Sequence, residues 1–231
     1  GYNTLQSDLS INFLAYGEMR GDAFYNNAFN VNADKVVNNS LDNNIFWASW
    51  YNYYRVIKQA NAVIKFTPQV LEAGGISAEK ADDVMGQAYC LRAFTYFWII
   101  RIWGDAPLVT APYLDSNDSF DLPKAAVADI VEQIHSDLEN ASNMIDKNST
   151  SRTTFTQTAA YAINAHVYAW EHKYEETINM ADKVLTNTNY TLANLYDEKY
   201  TGTTDDVKNK NFKALVQASE YAQIFNTGRS K

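Results

Sequence analysis

The sequence has one cysteine, four prolines and nine glycines in 231 residues. A single thiol, Cys90, rules out an internal disulfide, and there are no paired cysteines to hold a structural zinc. Cys90 lies among apolar residues on a helix-like stretch and reads as a small buried hydrophobe, not a nucleophile. So few glycines and prolines argue against a β-architecture punctuated by many tight turns. Positive charge is also scarce: 19 Lys and Arg face 27 Asp and Glu, for a net charge of −8. With no basic cluster to neutralise phosphates, nucleic acid is a poor partner, and a neutral ligand such as a sugar fits better. No apolar run approaches the ~20 residues of a membrane-spanning helix. No signal-peptide pattern follows Gly1, and Ser230-Lys231 trails a helix-like run without a stop, so the chain reads as a fragment.

What the sequence does have is hydrophobic bulk and rings. Hydrophobic residues make up 46% and aromatics 14%, including 16 Tyr and 5 Trp. Rings with a polar tip suit a wet binding surface as well as the margin of a core. The apolar residues recur every three or four positions, which is the period of helices. Tyr2, Leu5, Leu9, Phe13 and Tyr16 form a first stripe. Arg20 to Asn44 loses the period and fills with Asn, Asp and scattered aromatics, so a long irregular surface segment is expected there. A second stripe, Phe46, Trp50, Tyr53, Ile57, Ala60 and Ile64, is expected to be closed by Pro68 and Gly74-Gly75, which open a turn.

The best-defined element follows, from about Ala78 to Trp103. Ser77 is placed to cap it, with Glu79 and Asp82 near its positive end. Val84, Ala88, Leu91, Thr95, Trp98 and Ile102 line one face, and Tyr89, Ala93, Phe97 and Ile100 make the flanks apolar too. A helix apolar on most sides is buried among other helices. Arg92 and Arg101 on such a helix need partners at its edge; Arg92 is expected to bond loop carbonyls or a carboxylate. Gly104 suits a left-handed stop and Pro107 forbids continuation.

Leu108 to Leu114 reads as a short extended stretch, and Pro123 as the start of a fourth helix with Val127, Ile130, Ile134, Leu138, Ala141 and Ile145 on its face. Two helices follow closely, about Thr156–Glu171 and Tyr174–Thr188. Ala165, Tyr168, Tyr174, Thr177, Ala181 and Val184 fall at tetratricopeptide-like spacings, although the signature Gly and terminal Pro of that repeat are missing. A last helix is expected from about Phe212 to Phe225. The fold class is therefore all-α, with antiparallel helix pairs, tetratricopeptide-like packing and long irregular loops.

Motifs that carry chemistry are few. There is no phosphate loop, nucleophile elbow or His-Glu-x-x-His. His166 and His172 are six apart and point in different directions, and His135, between Glu132 and Glu139, reads as part of a solvated helix face. Neither a metal nor a cofactor is expected. Carboxylates are numerous enough to keep a helical glycoside hydrolase open as an alternative. Arg20-Gly21-Asp22 reads as a charged turn, and the Asn-x-Ser/Thr matches at Asn38, Asn117, Asn140, Asn148 and Asn189 follow from the abundance of Asn.

Several stretches, in order, resemble the SusD/RagB family of bacterial outer-membrane nutrient-binding lipoproteins. They are Gly17 to Asp22; Trp50-Tyr51 with Ile57-Lys58-Gln59-Ala60-Asn61-Ala62-Val63-Ile64; Gly86 to Phe97; Trp103-Gly104-Asp105-Ala106-Pro107-Leu108; Ile134 to Ala141; and Arg152-Thr153 with Ala159-Ala160. The resemblance implies a tetratricopeptide-like scaffold, a glycan or other nutrient site on loops, and a TonB-dependent outer-membrane transporter as partner. It also implies a lipidated cysteine at the start of the mature protein and a second, more irregular half, neither of which is seen here. Residues 1–231 are thus expected to form one helical N-terminal domain, reaching the membrane only through a lipid anchor outside this chain. The implied role is non-catalytic glycan binding at the outer-membrane surface of a Gram-negative bacterium; the alternative is a scaffold that contacts only the transporter. Sugar faces stack on rings and their hydroxyls bond to Asn, Asp and Arg. On that ground Asp22, Phe24, Tyr25, Asn27 and Trp47 are the expected ligand contacts.

Overall fold

The computed structural model describes residues 1–21, 30–113 and 121–187. The chain opens with α1 (Tyr2–Thr4), a π-helical turn at Leu5–Leu9 and α2 (Ser10–Tyr16), which run on from one another. A 3-10 turn at Glu18–Arg20 follows, and α3 spans Val31–Val37. This third helix falls inside the segment expected to be irregular. Its start is local chemistry: the Asn30 side chain accepts the backbone N–H groups of Asn32 and Ala33 at 3.1 and 3.2 Å.

The body of the domain is five helices: α4 (Tyr51–Glu72), α5 (Ala78–Trp103), α6 (Val127–Met144), α7 (Gln157–Trp170) and α8 (Tyr174–Leu185). Successive helices pack side by side in antiparallel pairs. The α4 helix starts later than the sequence period suggests, because residues Phe46–Ala48 form a separate 3-10 turn. Of the two expected closing signals, it passes through Pro68 and ends just before Gly74-Gly75. Pro68 is exposed in the last turns, where only the bond to the carbonyl four residues back is lost. The stop comes at Ala73, followed by Gly74 at φ +73°.

The central helix is α5, as its sequence demands. The Ser77 hydroxyl accepts the Lys80 N–H at 3.3 Å, and the buried residues lie all around the axis. At the far end Gly104 has φ +73° and ψ −127°, a positive-φ stop reserved in practice for glycine. Tyr96, Ile99, Ala93 and Cys90 are fully buried, against Tyr53, Val56 and Ile57 of α4 and Ile130, Ile134 and Leu138 of α6. Burial pushes the Cys90 thiol up, which keeps it protonated and inert.

Gly86 lets α5 and the end of α6 approach closely. A Cβ there would lie 2.8 Å from Ile145 Cγ1 and 2.9 Å from the Ile145 backbone N. Alanine would gain about 1 kcal/mol of helix propensity. It would also press on backbone, which cannot swing aside, at a cost of about 1–3 kcal/mol. Gly86→Ala is therefore expected to lower the urea midpoint; a raised midpoint would show that the α5–α6 contact is soft.

After Gly104 a short strand, Ala106–Pro107 (β1), precedes the stretch expected to be extended, Leu108–Leu114, whose last residue lies outside the described residues. The strand pairs antiparallel with Lys124–Ala125 (β2). Pro123 accordingly precedes a strand and does not start α6. The N-terminus of α6 is instead satisfied from across the fold, where Asp105 Oδ1 accepts the Val127 N–H at 3.0 Å. The α7–α8 hairpin turns at His172, φ +64°, and Thr177, Met180, Ala181 and Val184 are the partly buried residues of α8. The expected helix at Phe212–Phe225 lies outside the described residues.

Candidate functional site

Rings at the start of α4 meet the extended stretch after α5 to form an open pocket of about 430 Å³. That volume lies within the usual range of small-molecule sites. One wall is Trp50, Tyr51 and Tyr54, with Arg55 and Lys58 on the next turn; the other is Pro107, Val109 and Ala111 to Tyr113. Trp50 stacks on Tyr54 with ring centroids 5.9 Å apart and is held edge-on by Trp103, also at 5.9 Å. Lys124 of β2 sits over the Trp50 ring at 5.8 Å, and Arg55 lies 5.7 Å from the Tyr51 centroid. Tyr51 is 69% exposed, so its ring is offered to whatever enters. Arg55 Nη1 is also bonded to Asp8 at 2.9 Å, and the lining residues described include no Asp or Glu.

A buried polar network holds the second wall in place. Arg92 on α5 is almost fully buried, and Asp137 on α6 accepts two of its N–H groups at 2.7 and 2.8 Å. Burial pushes the Asp137 carboxyl up, opposed by the guanidinium and by the Gln133 amide. The guanidinium also donates to Asn61 Oδ1 at 2.7 Å and to the Thr110 carbonyl at 3.0 Å. Asn61 in turn donates its amide to the carbonyls of Val109 and Ala111. Two tyrosines complete the attachment: Tyr54 Oη donates to the Pro107 carbonyl at 2.7 Å, and Tyr96 Oη accepts the Val109 N–H at 2.7 Å. Burial pushes both phenols up, so they stay neutral donors. The sequence reading of Arg92 as a structural side chain bonding loop carbonyls or a carboxylate matches this arrangement, in which a loop carbonyl and a carboxylate both take part. Arg101, by contrast, is exposed and lies 4.2 Å from the centroids of both Phe97 and Trp98.

Of the five expected ligand contacts, Asp22, Phe24, Tyr25 and Asn27 lie outside the described residues. Trp47 is half-buried in the turn at Phe46–Ala48 and is not part of the pocket wall. Of the pocket rings on α4, only Trp50 belonged to the helical stripe read from the sequence; Tyr51 and Tyr54 fell outside it. The usable signal was the cluster Trp50, Tyr51 and Tyr54, which puts rings on more than one face of the helix. His135 departs from its reading as a solvated residue. It is half-buried between Asn164 Oδ1 at 2.7 Å and Glu171 Oε2 at 2.6 Å, and it stacks on Tyr168 at 4.1 Å. Despite the opposing effect of burial, Lys173 and His135 hold the Glu171 carboxyl below its usual range. Among the described residues no group of three His, Cys, Asp or Glu side chains could hold a metal ion, and no helix is long and apolar enough to cross a membrane.

Comparison with known proteins places this architecture. A SusD-like protein of Formosa agariphila is 26% identical over 197 residues, which are 83% of this chain and 37% of that protein. The chain thus spans less than two-fifths of the length of that curated relative. A SusD superfamily structure from Bacteroides vulgatus superposes with a TM-score of 0.71 at 23% identity, over 89% of this chain and 45% of the other. A laminarin-binding SusD-like protein does so with a TM-score of 0.68 at 20% identity, over 88% and 46%. Residues 3–169 match the SusD-like family described as starch-binding and associating with the outer membrane. The chain belongs to the SusD/RagB family.

Proposed function

We propose that this chain is the helical part of a non-catalytic, surface-exposed glycan-binding protein, lipid-anchored in the outer membrane and working with a TonB-dependent transporter. Residues 1–231 are then the N-terminal portion of a longer protein whose remainder supplies further ligand contacts. The observation that carries this reading is the aromatic pocket at Trp50, Tyr51 and Tyr54, in a chain that belongs to a starch-binding family. A structural neighbour that binds laminarin supports a saccharide as the ligand. The non-catalytic reading is supported by membership of a family described as starch-binding and by a structural neighbour named for binding laminarin.

Tyr51 provides the test. Its ring is exposed and makes no core contact, so Tyr51→Ala should leave the melting temperature unchanged. Loss of one stacking ring should weaken binding about tenfold in calorimetric titration of the full-length protein with a laminarin oligosaccharide. Unchanged affinity would remove this pocket from the site. The loop residues Asp22, Phe24, Tyr25 and Asn27, with Trp47, are a second proposed set of contacts; unchanged affinity in a Tyr25→Ala, Trp47→Ala variant would sink that part. Product release from the oligosaccharide would contradict the non-catalytic reading.

One observation favours the scaffold reading. No residue of α8 is buried among the described residues, and Tyr174, Ile178 and Leu185 are 64%, 59% and 63% exposed. Such a face needs a covering partner. Binding of the transporter without any saccharide binding by the full-length protein would select that reading.

A further inference from the structure

The overall charge of −8 argues for a neutral ligand, but the local charge around the pocket has the opposite sign. Arg55 and Lys58 line the pocket on α4, and Lys124 of β2, not itself a lining residue, lies over the ring of Trp50, which is one. Lys58 and Lys124 are exposed, and no ion pair is found for either among the described residues. Among the described residues only Arg55 of the three has a carboxylate partner, Asp8. At physiological salt, charges beyond about 8 Å are largely screened. With Arg55 balanced by Asp8, the nearest unpaired charges to a ligand in the pocket are therefore those of Lys58 and Lys124.

We infer that the pocket takes an anionic saccharide, with a sugar face stacked on the exposed Tyr51 ring and its carboxylate or sulfate groups drawn to Lys58 and Lys124. This rests on the glycan-binding reading above and narrows it. A neutral sugar would leave two lysines beside the rings without a role; an anionic sugar uses ring and charge together. Cation–π contact with Trp50 holds Lys124 over the ring without neutralising it.

The test is calorimetric titration of the full-length protein with three oligosaccharides of matched length: neutral laminarin, oligogalacturonate, and sulfated laminarin. At least one anionic ligand should bind about tenfold tighter than the neutral one, and the difference should shrink as salt is raised. Which of the two binds tighter identifies the anionic group. Lys58→Gln and Lys124→Gln should each weaken anionic binding about three- to tenfold and weaken neutral binding by distinctly less. Lys147→Gln, an exposed lysine on the α6–α7 connection, changes the net charge equally and should have no effect. Neutral laminarin binding as tightly as both anions, with Tyr51→Ala still weakening it, would overturn the inference and leave the site standing. An equal effect from Lys147→Gln would also overturn it, because the charge preference would then be long-range. Failure of all three ligands to bind would overturn both the inference and the glycan reading.

Discussion

Asp137→Ala should be among the most destabilising single substitutions in this domain, at about 3–5 kcal/mol. It strands the Arg92 guanidinium, which is only 3% exposed, with a full charge and no counter-charge. The side chain cannot reach solvent instead, because Asn61 Oδ1 and the Thr110 carbonyl hold it from the far side. For a domain of this size the loss corresponds to a fall in melting temperature of roughly 6–20 °C. Removing both partners is a different experiment. Arg92→Met with Asp137→Leu leaves no buried charge, so it should be milder than Asp137→Ala alone. It should not be neutral, since the Asn61 and Thr110 oxygens lose their donor. If the double variant proved worse than the single one, volume and not stranded charge would be the dominant cost.

The same network separates what the sequence made legible from what it did not. The long apolar α5, its Ser77 cap, its Gly104 stop and the need of Arg92 for partners all follow from residues within a few positions of one another. Local rules suffice for such features. The readings that failed depended on distant parts of the chain. Pro123 is well suited to the first turn of a helix, but Lys124 and Ala125 are drawn into pairing with Ala106 and Pro107. The α6 N-terminus is then satisfied by Asp105, 22 residues upstream of Val127, which no window around Pro123 could show. His135 is flanked in sequence by acidic residues that suggest solvent, yet its partners Asn164 and Glu171 arrive from α7 and the turn beyond it. The pocket is non-local in the same way. Its rings were visible on α4, but the opposing wall exists only because Arg92, Asn61, Tyr54 and Tyr96 fix the stretch after Pro107 in position.

Removing two hydroxyls should test that last dependence with the rings left in place. Tyr54→Phe combined with Tyr96→Phe leaves the Pro107 carbonyl without either donor and the Val109 N–H without its acceptor. Each buried group left unmade costs about 1–3 kcal/mol, so the pair should cost about 2–5 kcal/mol. Tyr54→Phe alone should be milder than the pair, since Tyr96 Oη remains 3.4 Å from the Pro107 carbonyl. The Trp50–Tyr54 stack survives in the double variant, so any loss of saccharide affinity comes from the wall and not from the rings. Hydrogen exchange at Val109 gives the local readout: its amide should lose protection in excess of the global loss of stability. Asp137→Ala cannot make this distinction, because it loosens α5 against α6 and the wall at once. If the Val109 amide kept its protection while the protein as a whole was destabilised, the wall would be held by Asn61 and Arg92 alone, and the tyrosine hydroxyls would not be what keeps the pocket open.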